Sequence, residues 1–233
     1  PEALPNFAVP ALNEAQQTAA DAMVSAVREG GFNTFVLDGV TGSGKTETYF
    51  EAVAEALRQK KQILVLLPEI ALTQPFLKRF EERFGVEPAT WHSNMRSTQR
   101  RRVWRAIADG SAKVLVGARS ALFLPFANPG LIIVDEAHET SFKQEDGVRY
   151  HARDVAVMRG RFEGFPVVLA SATPALESRH MVAIGRYKGL EIPSRFGAAK
   201  MPEIKAIDLT IDAPERQHWI APTLLKALEE RLE

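Results

Sequence analysis

The residues best suited to chemistry begin with a glycine-rich octapeptide, Gly39–Thr46, which reads Gly-Val-Thr-Gly-Ser-Gly-Lys-Thr. It fits the spacing G-x-x-x-x-G-K-[ST], in which glycines let successive backbone N–H groups face one phosphate. A candidate strand precedes it and a candidate helix follows it, and the N-terminus of that helix adds positive potential. The pattern therefore predicts a phosphate-binding loop.

Each position of this loop has an expected role at ATP. Lys45 is expected to neutralise the β- and γ-phosphates, and the Thr46 hydroxyl to ligate Mg²⁺. The loop alone does not separate a kinase, a GTPase and a motor. Further ATP contacts are expected from the other loop residues, namely Gly39, Thr41, Gly42, Ser43 and Gly44.

A second polar group, Asp135–His138, directly follows the apolar run Leu131–Val134. Carboxylates at the C-terminal end of a buried parallel strand lie beside the phosphate-binding loop in this architecture. We expect Asp135 to hold Mg²⁺ through water, and Glu136 to orient and activate the attacking water. Lys45 and Glu136 are thus the candidate catalytic residues.

The tetrapeptide Asp-Glu-Ala-His at 135–138 resembles motif II of the superfamily 2, DEAD/DEAH-like helicases. Ser171-Ala172-Thr173, at the end of another apolar run, resembles their motif III. In that family, motif III relays the state of the ATP site to the nucleic-acid site. The resemblance therefore implies a coupling role for Ser171 and Thr173, and a RecA-like motor lobe as the fold.

Gln16 precedes the phosphate-binding loop and resembles the upstream glutamine that reads adenine in these motors. A side-chain amide can meet both N6 and N7 of adenine, so the chemistry is suitable. Gln17 is an alternative for this role, and a solvated glutamine at the start of a helix is the other.

Further stretches resemble the bacterial replication-restart helicases, one family within superfamily 2, and the resemblance extends over about Ala11–Leu228. It implies 3′-to-5′ DNA unwinding in replication restart, with a second motor lobe and a cysteine-rich zinc module elsewhere. The stretches are Gly39–Glu47 with Tyr49, Leu66–Thr73 (motif Ia) and Gly117–Phe123 (motif Ib, with Ala118 where threonine is expected).

The segment Ser141–Asp154 is the most specific part of this resemblance. In the restart helicases it is an aromatic-rich loop that couples DNA binding to ATP hydrolysis. Val148 departs from the pattern, since an aromatic residue is expected there. The remaining aromatic residues, Phe142 and Tyr150, and the cations Arg149 and Arg153 are candidate coupling or DNA-binding residues. A polar loop that caps the next helix is the alternative.

Motifs Ia and Ib follow strands, so backbone amides at helix starts can hold the phosphates of a single DNA strand. Thr73, Arg119 and Ser120 are the candidate contacts there. A basic cluster, Arg96–Arg105, is predicted to be a solvated helix face, with Trp104 on its buried side. Lys and Arg together equal Asp and Glu, at 29 each, so any nucleic-acid contact must be local.

The elements that position these residues alternate between short apolar strands and helices, which predicts an α/β fold with a mainly parallel sheet and helices on both faces. The predicted strands are Thr34–Leu37, Ile63–Leu67, Ala89–Trp91, Lys113–Val116, Leu131–Val134 and Val167–Ala170. The predicted helices are Glu14–Arg28, Lys45–Gln59, Leu72–Phe84, Thr98–Asp109, Ala152–Phe162 and Ala175–Ile184.

Beyond about Pro193 the pattern changes. We predict a first RecA-like lobe over 1–193, and a connector with the start of a truncated second lobe over 194–233. This last part contains an isolated strand-like run, Ile204–Leu209, and a helix, Pro222–Leu232. The start at Pro1 and the end at Glu233 suggest an excerpt of a longer protein.

The composition predicts a cytoplasmic protein, because no signal segment opens the chain and no apolar run reaches the ~20 residues that span a bilayer. There are no cysteines, so no zinc site of cysteines is expected in this chain. The implied partners are single-stranded or forked DNA, a second motor lobe in cis, and primosome and single-strand-binding proteins, with no membrane.

Three function classes remain open. The first is the motor lobe of a restart helicase, or of another superfamily 2 translocase of the recombination or restriction type. The second is a nucleotide- and DNA-binding module with little turnover, since such sites are completed by arginines from a second lobe. The third is another phosphate-loop enzyme such as a small-molecule kinase, which has no use for a relay at Ser171–Thr173.

Overall fold

The computed structural model describes residues 2–68, 74–194, 204–215 and 218–232. The chain divides into two compact units, Pro1–Gly197 and Ala198–Glu233. In the described part of the chain, no helix combines the length and apolar character needed to cross a bilayer.

The first unit alternates strands and helices in chain order. Its helices are α1 (Glu14–Glu29), α2 (Lys45–Arg58), α3 (Gln74–Phe84), α4 (Ser97–Ala108), α5 (Ala152–Glu163) and α6 (Leu176–Ala183). Its strands are β1 (Thr34–Gly39), β2 (Gln62–Leu66), β3 (Ala89–Trp91), β4 (Val114–Gly117), β5 (Pro129–Val134), β6 (Lys143–Gln144), β7 (Tyr150–His151), β8 (Val167–Ser171) and β9 (Lys188–Ile192). Short 3₁₀ helices cover Arg119–Phe123 and Thr140–Phe142.

Seven of the described strands form one sheet in the order β3-β4-β2-β5-β8-β1-β9, and every neighbouring pair is parallel. The five inner strands are almost entirely buried, as their nearly continuous apolar sequences predict, whereas the edge strands β3 and β9 are partly exposed. Ile63 and Val65 enter one hydrophobic cluster and Leu64 and Leu66 the other, in the strict alternation of a pleated strand. The predicted fold class is confirmed.

Helices cover both faces of the sheet. One cluster packs residues of α1, α2 and α3, including Met23, Phe50 and Phe84, against the sheet. The other packs Ile107 of α4 and Ala156 of α5 against the opposite face. Asn13 begins α1 as the N-cap of a reciprocal capping box with Gln16, which confirms the predicted start of this helix.

Some features of the first unit differ from what the sequence predicts. Strand β9 and the antiparallel hairpin β6–β7 were not predicted. Trp104 was predicted to be buried, but 47% of its surface is exposed. The predicted start of the third helix at Leu72 lies outside the described residues.

The second unit contains α7 (Pro222–Leu232), as predicted. The expected strand at Ile204–Leu209 is wrong: residues 204–208 have no regular secondary structure, and a turn begins at Leu209. That turn is held by Asp208, whose carboxylate accepts hydrogen bonds from the Thr210 N–H and hydroxyl. The boundary and identity of this unit as a connector stay a prediction.

Candidate functional site

A cavity of about 590 Å³ lies where β1 and β5 end. Parallel strands bring their carboxyl ends to one edge, so the loop after β1 and the carboxylates after β5 meet there. The two predicted motifs are therefore adjacent, although 86 residues separate Tyr49 from Asp135. The lining comprises Pro10, Ala11, Leu12, Gln16, residues 41–47, Arg79, Asp135 and Glu136.

Lys45 is the first residue of α2, and its ammonium group lies over the phosphate-binding loop. The Nζ atom donates to the carbonyl oxygen of Gly39 at 2.6 Å and lies 3.5 Å from that of Val40. A buried cation held by carbonyl oxygens at a helix N-terminus is suited to exchange these partners for phosphate oxygens. The loop is thus arranged for an anion.

Two glycines of the loop are required by close packing. Gly44 caps α2 with a φ of 81°, a left-handed conformation, and a Cβ there would collide with the Gln16 amide. A Cβ at Gly39 would lie 2.6 Å from the Ser43 Oγ atom. Larger side chains would therefore displace either the loop or the residues that support it.

Gln16 lines the cavity, but its side-chain amide already binds the protein. Its Nε2 donates to the Ser43 carbonyl at 2.7 Å, and its Oε1 accepts from the Asn13 N–H at 2.9 Å. Each amide atom retains one further hydrogen-bonding position. The residue thus connects the start of α1 to the phosphate-binding loop, and its adenine contact stays a prediction. Gln17 lies on the exposed side, bonded to Asp21.

Asp135 is buried at the end of β5, and both carboxylate oxygens are engaged. Oδ2 accepts from the Tyr49 hydroxyl at 2.8 Å, and Oδ1 accepts from the Glu136 N–H at 2.9 Å. Burial raises the pKa of Asp135, an effect opposed by the Tyr49 hydrogen bond. Burial also raises the pKa of Tyr49 well above its usual value, and the Asp135 charge adds to that rise.

The Thr46 side chain adjoins the Tyr49 hydroxyl and acts to lower its pKa. One buried hydroxyl therefore lies beside both Thr46 and Asp135, the two residues expected to hold Mg²⁺. Oxygen donors of this type fit Mg²⁺, which binds through one or two carboxylates together with substrate phosphates and water. The described residues contain no cluster of three or more His, Cys, Asp or Glu side chains able to hold a metal.

Glu136 has a φ of 50°, which is uncommon for a residue other than glycine. Such backbone strain is found at functional sites where the surrounding structure enforces it. Here the Ala137 N–H is bonded to the Ala170 carbonyl and the Glu139 N–H to the Glu136 carbonyl. The tight turn after β5 places Glu136 on the lining of the cavity, as the catalytic assignment requires.

A chain of polar contacts leads from the acidic turn to the end of β8. His138 Nδ1 lies 3.6 Å from Glu136 Oε2 and shares a 2.8 Å hydrogen bond with the Ser171 hydroxyl. The Ser171 hydroxyl in turn accepts from the Thr173 N–H at 3.0 Å. Motifs II and III are therefore in direct contact, which provides a physical route for the expected relay.

The segment after the acidic turn forms the hairpin β6–β7, in which Lys143 pairs with His151 and Gln144 with Tyr150. Its tip is exposed, with 81% of the Val148 surface accessible. Arg149, next to Val148, is also exposed.

Tyr150 is half-buried and packs edge-on against the Phe123 ring, 5.3 Å between centroids. Phe142 is buried in the core at 1% exposure, and its expected coupling role stays a prediction. Arg153 is also buried and binds Asp154 at 3.1 Å, and its expected phosphate contact stays a prediction. Phe142 anchors the base of the hairpin to the core.

Arg119 links motif Ib to the same hairpin. Its Nη1 donates to the carbonyl oxygens of Ser141 at 3.1 Å and Lys143 at 2.7 Å. The neighbouring Ser120 hydroxyl accepts from the Trp91 indole N–H at 3.1 Å. Both residues are at least partly exposed, and their contact with DNA stays a prediction. Thr73 lies outside the described residues.

The sequence analysis did not assign roles to Tyr49, His138 or Arg79. The signal for Tyr49 was its position four residues after Lys45, on the same side of α2. Arg79 lines the cavity from α3 and lies 3.5 Å from Glu47. No local pattern identifies Arg79, because α3 is placed beside the cavity only by tertiary packing.

Comparison with known proteins agrees with this site. The model of the DEAD/DEAH box helicase family matches residues 13–182, and the chain belongs to that family. Replication restart protein PriA of Rickettsia conorii is 42% identical over 228 residues, which are 98% of this chain and 34% of that protein. PriA of Haemophilus influenzae is 44% identical over 203 residues, 87% of this chain and 28% of that protein.

The resemblance to the replication-restart helicases is thus confirmed, and the chain spans about a third of the length of these curated relatives. Among solved structures, RecG bound to a three-way DNA junction superposes with a TM-score of 0.60 at 19% identity. The match covers 82% of this chain and 25% of RecG, and it shows the fold alone.

Proposed function

We propose that the chain is the ATP-binding motor lobe of a 3′-to-5′ DNA helicase that acts in replication restart. The observation that carries this proposal is the convergence of Lys45, Thr46, Asp135 and Glu136 on one cavity. The restart role is supported by the similarity to replication restart protein PriA, and the 3′-to-5′ polarity is what the family resemblance implies. The proposed partners are single-stranded or forked DNA, a second motor lobe in cis, and primosome and single-strand-binding proteins.

The cavity supports ATP hydrolysis in the following way. The γ-phosphate replaces the Gly39 carbonyl as the partner of the Lys45 ammonium group. Thr46 and Asp135 would hold Mg²⁺, which would neutralise charge on the phosphate oxygens. Glu136 accepts a hydrogen bond from the attacking water and orients it toward the γ-phosphorus.

Coupling to DNA is proposed to run through His138 and Ser171. A change at Glu136 alters the 3.6 Å contact with His138 and hence the hydrogen bond to Ser171. Arg119 connects motif Ib to the hairpin β6–β7, whose exposed tip includes Arg149. DNA bound at either place is thereby linked to the turn after β5, and the ATP cycle drives stepping along one strand.

The experiment is a fork-unwinding and ATP-turnover assay of the full-length protein, with and without single-stranded DNA. Glu136→Gln should keep ATP affinity within about 3-fold and reduce DNA-stimulated turnover by ~10²-fold or more, because the general base is removed. Glu139→Gln is the matched control on the same turn. Retained turnover in Glu136→Gln contradicts the catalytic assignment. If the wild-type protein translocates along DNA but does not unwind forks, it is a different superfamily 2 translocase.

A second candidate applies to the chain by itself: a nucleotide- and DNA-binding module with little turnover. Among the described residues, the only arginine that lines the cavity is Arg79, which lies against Glu47. Arginines that stabilise transition-state charge are worth about 10³–10⁵ in rate. Rapid DNA-stimulated turnover by residues 1–233 alone would contradict this second candidate.

A further inference from the structure

The outer face of α4 carries a basic surface that the proposed motor cycle does not use. Helix α4 contains four arginines and no acidic residue. It connects β3, the edge strand, to β4, and β3 lies three positions from β5 in the sheet. At ~4.8 Å per strand, this places β3 about 14 Å from the strand that carries the catalytic carboxylates. The surface is therefore separate from the nucleotide cavity.

Three of these arginines form one stripe. Positions 98, 101, 102, 105 and 109 follow helical spacing, and they line an open groove of about 440 Å³ together with Ala106 and Ser111. The opposite side of the helix is apolar, with Ile107 in the core. The stripe thus presents Arg101, Arg102 and Arg105 to solvent on a helix whose other face is fixed.

The guanidinium groups of this stripe are not paired with a carboxylate. In the part of the chain that the structure describes, the side chains of Arg101, Arg102 and Arg105 form no ion pair and no hydrogen bond. Asp109, the one acidic residue at the groove, accepts a hydrogen bond from the Ser111 N–H at 2.9 Å. An uncompensated cluster of this kind favours an anionic ligand.

Other arginines of the same unit differ in this respect. Seven of them lie within ion-pair distance of a carboxylate: Arg28, Arg58, Arg79, Arg83, Arg153, Arg159 and Arg179. A solvated helix face with mixed charges would show the same pairing. Arg161 and Arg186 are also exposed and without an ion pair, so α4 is distinguished by three unpaired arginines that lie together on one helix face.

The base of the helix is held firmly. Arg100 donates to the carbonyl oxygens of His92 at 3.2 Å and Ser93 at 2.9 Å, and its guanidinium lies over the Trp91 ring at 5.7 Å. The fourth arginine therefore fixes α4 to the end of β3. The stripe beside it is presented on a rigid element, which lowers the entropy lost when phosphates bind.

We propose that Arg101, Arg102 and Arg105 bind the phosphate backbone of duplex DNA, as a second contact outside the single-strand path of the motor. The proposal rests on the proposed function, which makes DNA the polyanion present. Duplex DNA carries one negative charge per ~1.7 Å of its axis, twice the charge density of a single strand. The three arginines lie within about one turn of α4, so a duplex brings more phosphates within their reach than a single strand does. The exposed Trp104 flanks the stripe.

The test measures affinity of the chain for a fluorescent duplex of about two helical turns, as a function of salt concentration. Arg101→Gln/Arg105→Gln should weaken duplex binding about 10-fold at low salt. The slope of log affinity against log salt should fall by about two, because two phosphate contacts are lost. Arg101→Lys/Arg105→Lys should retain most of the slope, and binding of single-stranded DNA of equal length should change less than about 3-fold.

Arg161→Gln/Arg186→Gln is the matched control, because it removes two exposed arginines elsewhere in the same unit. The proposal is overturned if this control loses as much duplex affinity as the α4 variant, or if the α4 variant keeps the wild-type duplex affinity. It is also overturned if the wild-type chain does not bind duplex DNA. Competition by an acidic peptide with no effect of duplex DNA also overturns it, in favour of a protein partner.

Retained binding of a fluorescent ATP analogue shows that the α4 variant is folded. The same ATP-analogue and single-strand measurements on the wild-type chain test the proposed function separately. If the wild-type chain binds duplex DNA but neither the ATP analogue nor single-stranded DNA, the proposed motor function is overturned and the proposed duplex contact on α4 is retained. If it binds the ATP analogue and single-stranded DNA but not duplex DNA, only the proposed duplex contact on α4 is overturned.

Discussion

The nucleotide cavity and the outer face of α4 hold their polar side chains in opposite ways. In the cavity, Lys45, Gln16 and Asp135 each bond another part of the protein. On α4, Arg101 and Arg105 have no such partner among the described residues. A ligand that enters the cavity must exchange hydrogen bonds, whereas a ligand on α4 adds new contacts.

This difference determines how each region responds to mutation and to salt. An exchanged hydrogen bond contributes little net energy, but a buried group left without its partner costs about 1–3 kcal/mol. The cavity should therefore be sensitive to single atoms and insensitive to ionic strength. An exposed cationic stripe should show the reverse, because salt screens charges that are in contact with water.

The largest effect is expected at Lys45, which carries a buried positive charge beside the phosphate-binding loop. Lys45→Ala removes the buried ammonium group and should weaken ATP binding by about 10²–10³-fold, since each charge-assisted hydrogen bond is worth about 1.5–3 kcal/mol. Binding of a fluorescent ATP analogue measures this. Lys61→Ala, which loses only an exposed contact with Asn128, is the control. A change below about 5-fold in Lys45→Ala would remove the distinction between the cavity and the surface.

The next effect isolates the Tyr49 hydroxyl, which lies beside both expected Mg²⁺ ligands. Tyr49→Phe leaves Asp135 Oδ2 without its donor and should raise the Mg²⁺ concentration required for ATP binding about 10-fold, as for other residues that orient metal ligands. The measurement is a Mg²⁺ titration at fixed nucleotide. Tyr187→Phe is the control, since it removes the hydroxyl of a half-buried tyrosine that does not line the cavity. An unchanged requirement means that the hydroxyl has only a packing role.

A smaller effect is expected where the cavity connects to motif III. Ser171→Ala removes the hydroxyl between His138 and the Thr173 N–H, and one hydrogen bond of about 1 kcal/mol corresponds to about 5-fold. DNA stimulation of ATP turnover in the full-length protein should fall by that factor while ATP affinity is preserved. Ser178→Ala changes another buried serine and should leave the stimulation intact. Equal losses of affinity and stimulation would argue against a relay.

The smallest effect concerns stability. Burial raises the pKa of Asp135, so the ionised carboxylate destabilises the folded state at neutral pH, and that penalty disappears as the pH falls below the unfolded pKa. Without nucleotide or Mg²⁺, Asp135→Asn should raise Tm by about 2–4 °C at pH 7 and by less near pH 4.

Calorimetry of Asp135→Asn should be compared with Asp109→Asn. A hydrogen bond from Ser111 lowers the pKa of the exposed Asp109, so its ionised form stabilises the fold and Asp109→Asn should lower Tm slightly. A lower Tm in both variants would show that the Asp135 carboxylate is favourable where it is.

Local patterns in the sequence were sufficient for the elements that carry the chemistry. The octapeptide Gly39–Thr46 lies between β1 and α2, and Asp135 follows β5, as their flanking apolar runs predict. Asn13 caps α1 through bonds within three residues. In each case the determining contacts are short-range or repeat with the period of the element.

The remaining features depend on tertiary contacts. Strand β9 contains Lys188, Gly189 and Glu191 and is largely exposed, so an edge strand of this composition has no hydrophobic run to reveal it. Phe142 is buried because the hairpin folds back on the core, which loop composition does not predict. Ile204–Leu209 has the composition of a strand, but a strand also needs a ladder with a neighbouring strand, and among the described strands none pairs with residues 204–208.

Strand β9 also connects the phosphate-binding loop to any force applied to the chain that follows this strand. It is hydrogen-bonded to β1 over five residue pairs, the last of which joins Ile192 to Gly39, the first glycine of the phosphate-binding loop. Tension along the chain that leaves β9 is therefore resisted in shear by β1, the strand that ends at this loop. A pulling force on residues beyond Ile192 would strain the nucleotide loop before it reached the opposite edge of the sheet at β3.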